Sequence, residues 1–182
     1  MARGIAYVPQ AQVMEFACSV LDLVLMGRTA HLGPFAGPRA IDHERARAAL
    51  ADLGILDLAD ADANRISGGQ RQLALVARAL AQDAPFIVMD EPTASLDLAN
   101  RLLVLDRVRR LRAQGYSIVF STHDPEQAHE RATRVAVIAD GRLAHGPPDG
   151  ILTGATLSAV YGVLVAIERT PSGRAVIVPM AR

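Results

Sequence analysis

The chain has 182 residues, 51% of them apolar and 21% charged, enough for one packed core in a globular protein. Its 19 basic residues balance 19 acidic ones, so no net field draws it to nucleic acid or to an anionic surface. Every basic residue is arginine: the sequence contains no lysine, which excludes any phosphate-binding loop that depends on one. No apolar run approaches the roughly 20 residues of a membrane span, and Met1 to Gln10 shows no basic region ahead of an apolar stretch. The single Cys18 has no internal disulfide partner, fits a thiol-reducing compartment and reads as a small buried apolar residue.

In chain order, Ile5-Ala-Tyr7-Val8-Pro9-Gln10 is a short strand-like run ending in a polar residue. Ala11 to Arg65 is rich in Ala, Leu and Arg, is interrupted by Gly33, Pro34, Gly37 and Pro38, and holds no strand run. It is expected to be all-helical, with its clearest helix over Ile41 to Leu53 and Asp42 as N-cap. Three continuous apolar runs follow, Phe86 to Met89, Ile118 to Phe120 and Val135 to Ile138, which suit strands buried on both faces of a parallel sheet. Leu73, Val76, Ala77 and Leu80, ahead of the first run, and Leu98, Leu102, Leu105, Val108 and Leu111, after it, mark the apolar faces of two crossover helices. Beyond Ile138 the pattern changes to hairpins, with turns at Asp140-Gly141 and at Pro171 to Gly173. No internal repeat or low-complexity linker is evident.

Four segments carry chemistry. Phe86-Ile-Val-Met-Asp90-Glu91-Pro-Thr-Ala-Ser95-Leu-Asp97 buries a strand and releases two adjacent carboxylates at its C-terminal end, where open parallel sheets place their ligands. Side chains alternate along a strand, so Asp90 and Glu91 take different jobs: one can hold Mg²⁺, the other can orient or deprotonate a water. Ser67-Gly68-Gly69-Gln70 opens an amphipathic helix, and a glycine-bearing helix N-terminus offers free N–H groups and a positive dipole end to phosphate. Alone it is a Ser-capped turn; its spacing ahead of the acidic strand favours the functional reading. Ser121-Thr122-His123-Asp124 ends another strand, and an imidazole there can donate to a γ-phosphate or place a water. Gln10 takes its meaning only from its order relative to the other three.

Taken together, Gln10, Ser67-Gly68-Gly69-Gln70, Asp90-Glu91, Ser95-Leu96-Asp97 and His123 resemble, in order, the Q-loop, signature, Walker B with its glutamate, D-loop and H-loop of the nucleotide-binding subunit of ABC transporters. The resemblance spans nearly the whole chain. It implies an α/β fold of the P-loop NTPase type, with a mostly parallel sheet and helical crossovers, and a small all-helical subdomain. Residues 1–182 would form one partial ATPase domain, 11–65 being the helical subdomain that grips the permease and 66–182 the catalytic core with its C-terminal hairpin. It further implies ATP and Mg²⁺ as ligands and a head-to-tail dimer, either with itself or with an intact ATPase subunit. In that dimer Ser67, Gly68, Gly69 and Gln70 face the γ-phosphate bound to the opposite subunit. Asp90 and Gln10 then belong to the Mg²⁺ site, Glu91 is the catalytic base, His123 the switch, and Asp97 bridges the dimer. The implied setting is the cytoplasmic face of a cell membrane, peripheral to transmembrane permease subunits and served indirectly by a periplasmic or extracellular binding protein.

The sequence departs from that family in one respect. The opening strands, the adenine-stacking aromatic and the glycine-rich loop ending in Lys-Ser or Lys-Thr are not present, so the chain is expected to be a subunit truncated before the Q-loop. The segment Ser19-Val-Leu-Asp-Leu-Val-Leu-Met-Gly27-Arg28-Thr-Ala-His31-Leu, with Val160-Tyr161-Gly162-Val163, resembles the importers of iron siderophores, haem, vitamin B12 and related metal chelates. The rival reading is a catalytically incompetent piece that only docks to a permease or an intact subunit. Related ATPase heads of DNA repair and chromosome structure carry a long coiled coil between Q-loop and signature. The compact segment here has no sustained heptads or basic stripe, so no nucleic-acid partner is expected.

Overall fold

A computed structural model describes residues 4–10, 16–33 and 35–180. Residues 11–15 and Pro34, parts of the expected helical segment, lie outside the described residues. The chain divides into two compact units, Met1–Ser121 and Thr122–Arg182.

The first unit contains the strand β1 (Ile5–Val8), the helices α1 (Val20–Leu25), α2 (Ala40–Asp52) and α3 (Gly68–Ala81), strand β2 (Phe86–Met89), helix α4 (Leu98–Ala113) and strand β3 (Ser117–Phe120). The expected parallel sheet is present in the order β1-β2-β3, with Val8 level with Met89 and Met89 level with Phe120. One of its faces is covered: Ala6, Val8, Ile87 and Met89 are buried. The other is open, with Ile5 54%, Phe86 53% and Val119 63% exposed, so the strands are not buried on both faces as their apolar runs imply. An apolar run reports what a strand side can bury, not whether this stretch of chain supplies the cover.

Helix α3 is the central element and packs on α1, α2, α4 and β1. Its expected face of Leu73, Val76, Ala77 and Leu80 is buried, and so are Ala74, Leu75, Ala79 and Ala81, whose small side chains let neighbours approach on several sides. In α4 the expected stripe holds only in part. Val104, Leu105, Val108 and Leu111 are buried, whereas Leu98, 63% exposed, and Leu102 face outward.

The second helix also corrects an expectation. Asp42 does not cap α2 from outside; Arg39 holds the N-cap position and Asp42 sits three residues further, with its Oδ2 accepting from the Arg39 backbone N–H at 3.0 Å. That carboxylate is fully buried, and its Oδ1 accepts from Arg28 Nε at 3.1 Å. The same guanidinium donates through Nη1 to the Ala81 carbonyl and to Asp83 Oδ2, each at 2.7 Å. The pair therefore places a negative charge at the start of α2 and a positive charge at the end of α3, where each opposes the local helix dipole. Gly27, next to Arg28, lies so close to the α3 backbone that a Cβ there would overlap the Arg78 carbonyl oxygen at 2.1 Å.

The second unit comprises α5 (Pro125–Arg131), β4 (Val135–Ala139), β5 (Arg142–Gly146), α6 (Pro148–Ile151), α7 (Gly154–Tyr161), β6 (Val165–Arg169) and β7 (Ala175–Pro179). Both expected hairpins form, β4 with β5 and β6 with β7, each antiparallel. The first turns on Asp140 and Gly141, both at positive φ (49° and 70°), the pairing a tight two-residue hairpin favours. Among the described residues β4 pairs with β5 alone, so the run Val135 to Ile138 extends a hairpin rather than the parallel sheet. Leu152, Leu157 and Val165 form a small core of their own with Ile167 and Ile177 packed on it.

Asp42 is held below the ordinary carboxylate range, first by the Arg39 backbone N–H and then by Arg28. Its stabilising effect is thus present above that ordinary range and lost as the pH falls through the lowered value. Arg28→Met, which leaves Asp42 buried with only the exposed Arg39 guanidinium 3.5 Å away, is expected to cost about 3–5 kcal/mol by urea unfolding at neutral pH and to flatten this acid limb. A loss under about 1 kcal/mol would show that the pair does not hold the two helix ends.

Candidate functional site

The β1-β2-β3 register delivers two polar residues, Asp90 and Ser121, side by side at one end of the sheet. With Val8, Met89 and Phe120 level, the residues that follow them emerge together, and the ladder continues past the strands through Asp90 N–H to the Val8 carbonyl and Ser121 N–H to the Met89 carbonyl, both 2.9 Å. Ser121 thus lies beside Asp90 and donates its hydroxyl to Asp90 Oδ1 at 2.6 Å. The same oxygen accepts the Glu91 backbone N–H at 2.8 Å, so one serine ties both acidic residues to β3.

Glu91 breaks the strand. Its φ is +39°, in the left-handed region that a non-glycine residue enters at a cost of roughly 1–3 kcal/mol. The two carboxylates diverge because the backbone turns there, not through strand alternation as the sequence suggests. Turned this way, Glu91 Oε2 accepts from Gln10 Nε2 at 3.1 Å. Across the edge Tyr7 donates to Asp90 Oδ2 at 3.4 Å. Partial burial, then the charge of Asp90 and this hydrogen bond, push the Tyr7 phenol above its ordinary value, so it stays protonated and a donor at neutral pH.

A second cluster forms where α3 and α4 begin. Ser67 caps α3: its Oγ accepts from Gln70 N–H at 3.3 Å, and Gln70 Oε1 accepts from Ser67 N–H at 3.0 Å. The first-turn amides of Gly68 and Gly69 are not used by this box and have no partner within the helix. Asp97 caps α4, accepting from Asn100 N–H at 2.8 Å and from Asn100 Nδ2 at 2.9 Å. Asn100 lies directly against Gly69, whose Cβ would fall 2.2 Å from Asn100 Oδ1, whereas one at Gly68 would meet only Leu96 at 3.7 Å. The two glycines therefore differ: Gly69 serves contact between helix starts, and Gly68 keeps the outer surface of the turn open.

The structure brings Gln10, Asp90 and Glu91 together, and separately Ser67 to Gln70 with Asp97. His123 belongs to the second unit, just ahead of α5. Tyr7, Ser121 and Asn100 were not singled out by sequence reasoning. Tyr7 stands inside an apolar run and Ser121 looks like an ordinary strand end; only the register of three strands distant in sequence makes either visible.

Among the described residues no three His, Cys, Asp or Glu side chains gather to hold a metal by themselves. Mg²⁺ needs no such cage, since one or two carboxylates with water and phosphate oxygens suffice. Asp90, with lone pairs beyond those used by Ser121 and Tyr7, and the carbonyl oxygen of Gln10 are hard oxygen donors that fit it. No helix among the described residues is long and apolar enough to cross a membrane.

Two adjacent acids follow the middle strand of a parallel sheet, and the fold is that of the P-loop NTPases. A solved structure described as an ABC transporter of metal-chelate type, in an inward-facing conformation, superposes with a TM-score of 0.93 at 36% identity over 98% of this chain and 73% of that one. A family model described as ABC transporter matches residues 1–94, and the chain belongs to that family. The molybdate import ATP-binding protein MolC of Haemophilus influenzae is 41% identical over 160 residues, 87% of this chain and 63% of that protein. The hemin import ATP-binding protein HmuV of Gloeobacter violaceus is 36% identical over 184 residues, 96% of this chain and 66% of that protein. The chain thus spans less than two thirds of the length of these curated relatives.

Gly69→Ala is expected to force α3 and α4 apart and to cost about 1–3 kcal/mol by chemical denaturation. Gly68→Ala, with open space before it, is expected to stay within about 0.5 kcal/mol of the parent. Equal losses at the two positions would contradict this division of roles.

Proposed function

We propose that the chain is the ATP-hydrolysing part of an ABC importer that carries a metal chelate such as an iron siderophore, haem or cobalamin. The observation that carries this reading is the clamp on Asp90 and Glu91, in which Ser121 and Gln10 fix two adjacent acids in different directions at the end of a parallel strand. Glu91 is the general base: its carboxylate, steered by the Gln10 amide, accepts a proton from the water that attacks the γ-phosphorus. Asp90, with Gln10, would hold Mg²⁺, which when bound neutralises charge on the phosphate oxygens. Ser121 keeps Asp90 from rotating, and the Tyr7 hydroxyl restrains its other oxygen.

The amides of Gly68 and Gly69, with Ser67 and Gln70, are suited to the γ-phosphate of a nucleotide held by a second ATPase subunit, and Asp97 lies at the same juncture. His123 is the switch, its imidazole suited to donate to a γ-phosphate. Transmembrane permease subunits are the remaining partners, with a substrate-binding protein acting through them, and the working site is the cytoplasmic face of the membrane. The likeness to a transporter of metal-chelate type over 98% of this chain, and to a haemin import protein over 96% of it, supports the cargo class.

Glu91→Gln, in the subunit assembled with its permease, is expected to lower kcat for ATP by about 10²–10⁴-fold while nucleotide binding persists. Hydrolysis at the parental rate would remove Glu91 as the base. For the cargo, a strain lacking the gene is expected to lose growth on one of iron siderophore, haem or cobalamin as sole source. Normal uptake of all three, with a defect for an unrelated solute, would overturn the metal-chelate assignment.

A further inference from the structure

His123 is held through its main chain. Asp124 caps α5 by accepting from Gln127 N–H at 3.0 Å, and its own N–H donates to Thr122 Oγ1 at 3.0 Å. Pro125 opens the helix without an N–H and keeps Asp124 extended, at φ −99° and ψ 99°. The helical ladder therefore starts at the Asp124 carbonyl, which takes Ala128 N–H at 3.1 Å, and the carbonyl of His123 falls outside it. The Tyr161 phenol, 38 residues away in sequence, reaches that carbonyl and donates to it at 3.0 Å.

The support beneath this contact is continuous. Tyr161 ends α7, whose Leu157 is buried and whose Ser158 Oγ accepts from Val165 N–H at 3.0 Å, seating the helix on β6. Its hairpin partner β7 is tied to α5, since Ile177 N–H donates to Glu126 Oε1 at 2.9 Å and Arg174 lies 3.8 Å from both Glu126 and Glu130. The helix that follows His123 and the helix that carries Tyr161 are thus fixed to one hairpin. Burial of the ring does not account for the tyrosine, which is 46% exposed; its hydroxyl contact does.

We propose that Tyr161 is a positioning residue for His123, its O–H setting the main chain of the switch histidine against the hairpin formed by β6 and β7. The inference rests on the switch role proposed above for His123. It makes this hairpin part of the hydrolytic machinery at a distance: whatever displaces β6 and β7 also displaces the histidine.

Tyr161→Phe deletes the hydroxyl and keeps the ring. In the isotopically labelled 182-residue chain, the His123 Cε1–H resonance, assigned by its loss in His123→Ala, is expected to broaden or split in Tyr161→Phe while the thermal midpoint stays unchanged. In the subunit assembled with its permease, kcat for ATP is expected to fall about five- to tenfold, the worth of one hydrogen bond, with KM unaltered. An unaltered resonance together with a parental kcat overturns the proposal. Should His123→Ala itself keep the parental kcat, the switch assignment fails, and the resonance in Tyr161→Phe alone then decides whether Tyr161 orders the histidine.

Discussion

The buried pair of Arg28 and Asp42 is the constraint on which the first unit depends. Neither charge can be removed from water cheaply, so the pair persists because its geometry closes: Asp42 accepts two bonds at the start of α2, and Arg28 spends its donors on Asp42, Asp83 and a terminal carbonyl of α3. Gly27 lets this segment lie against the α3 backbone. One end of α3 is pinned in this way, and Asn100 packed on Gly69 pins the other. The helix spans 14 residues, about 21 Å, and behaves as a strut between the segment of Ser19 to His31 and the Ser67 to Gln70 turn.

The paired acids have a different origin. They are placed by three strands whose pairing partners lie about 80 and 30 residues apart along the chain, a distance over which only sheet register carries information. Ser121 converts that register into chemistry, since its single oxygen both donates to Asp90 and accepts from Glu91. A hydroxyl can do both at once, which neither a carboxylate nor an amide nitrogen in its place would do.

Local signals were readable in the sequence where they are local in physics. The Ser67 cap, the Asp140-Gly141 turn, the parallel strands over Phe86 to Met89 and Ile118 to Phe120 and the strand-like run from Ile5 follow from short-range rules about φ, hydrogen-bond closure and apolar runs. The Arg28 to Asp42 pair was not readable, because one arginine among several in an Ala-, Leu- and Arg-rich stretch looks like a solvated charge until the fold surrounds it. The same holds for Asp42, whose capping chemistry was visible but whose position in the helix was not, since Asp satisfies first-turn donors from either side of the boundary. The apolar stripe of α4 and the apolar faces of the sheet overstate burial for one common reason: periodicity records where cover is wanted, and Leu98, Leu102, Phe86 and Val119 remain uncovered by the described residues.

The positive φ of Glu91 carries a consequence for how this protein can change. A residue without a Cβ, or one at home in the left-handed region, would sit at position 91 with less strain than glutamate does. Selection for robustness alone would therefore push this site away from an acid, and selection for turnover pushes it back. Under the proposed role of Glu91 as the base, the neighbours of this sequence that fold best at this one position are those without that base, so loss of activity lies downhill and its recovery uphill.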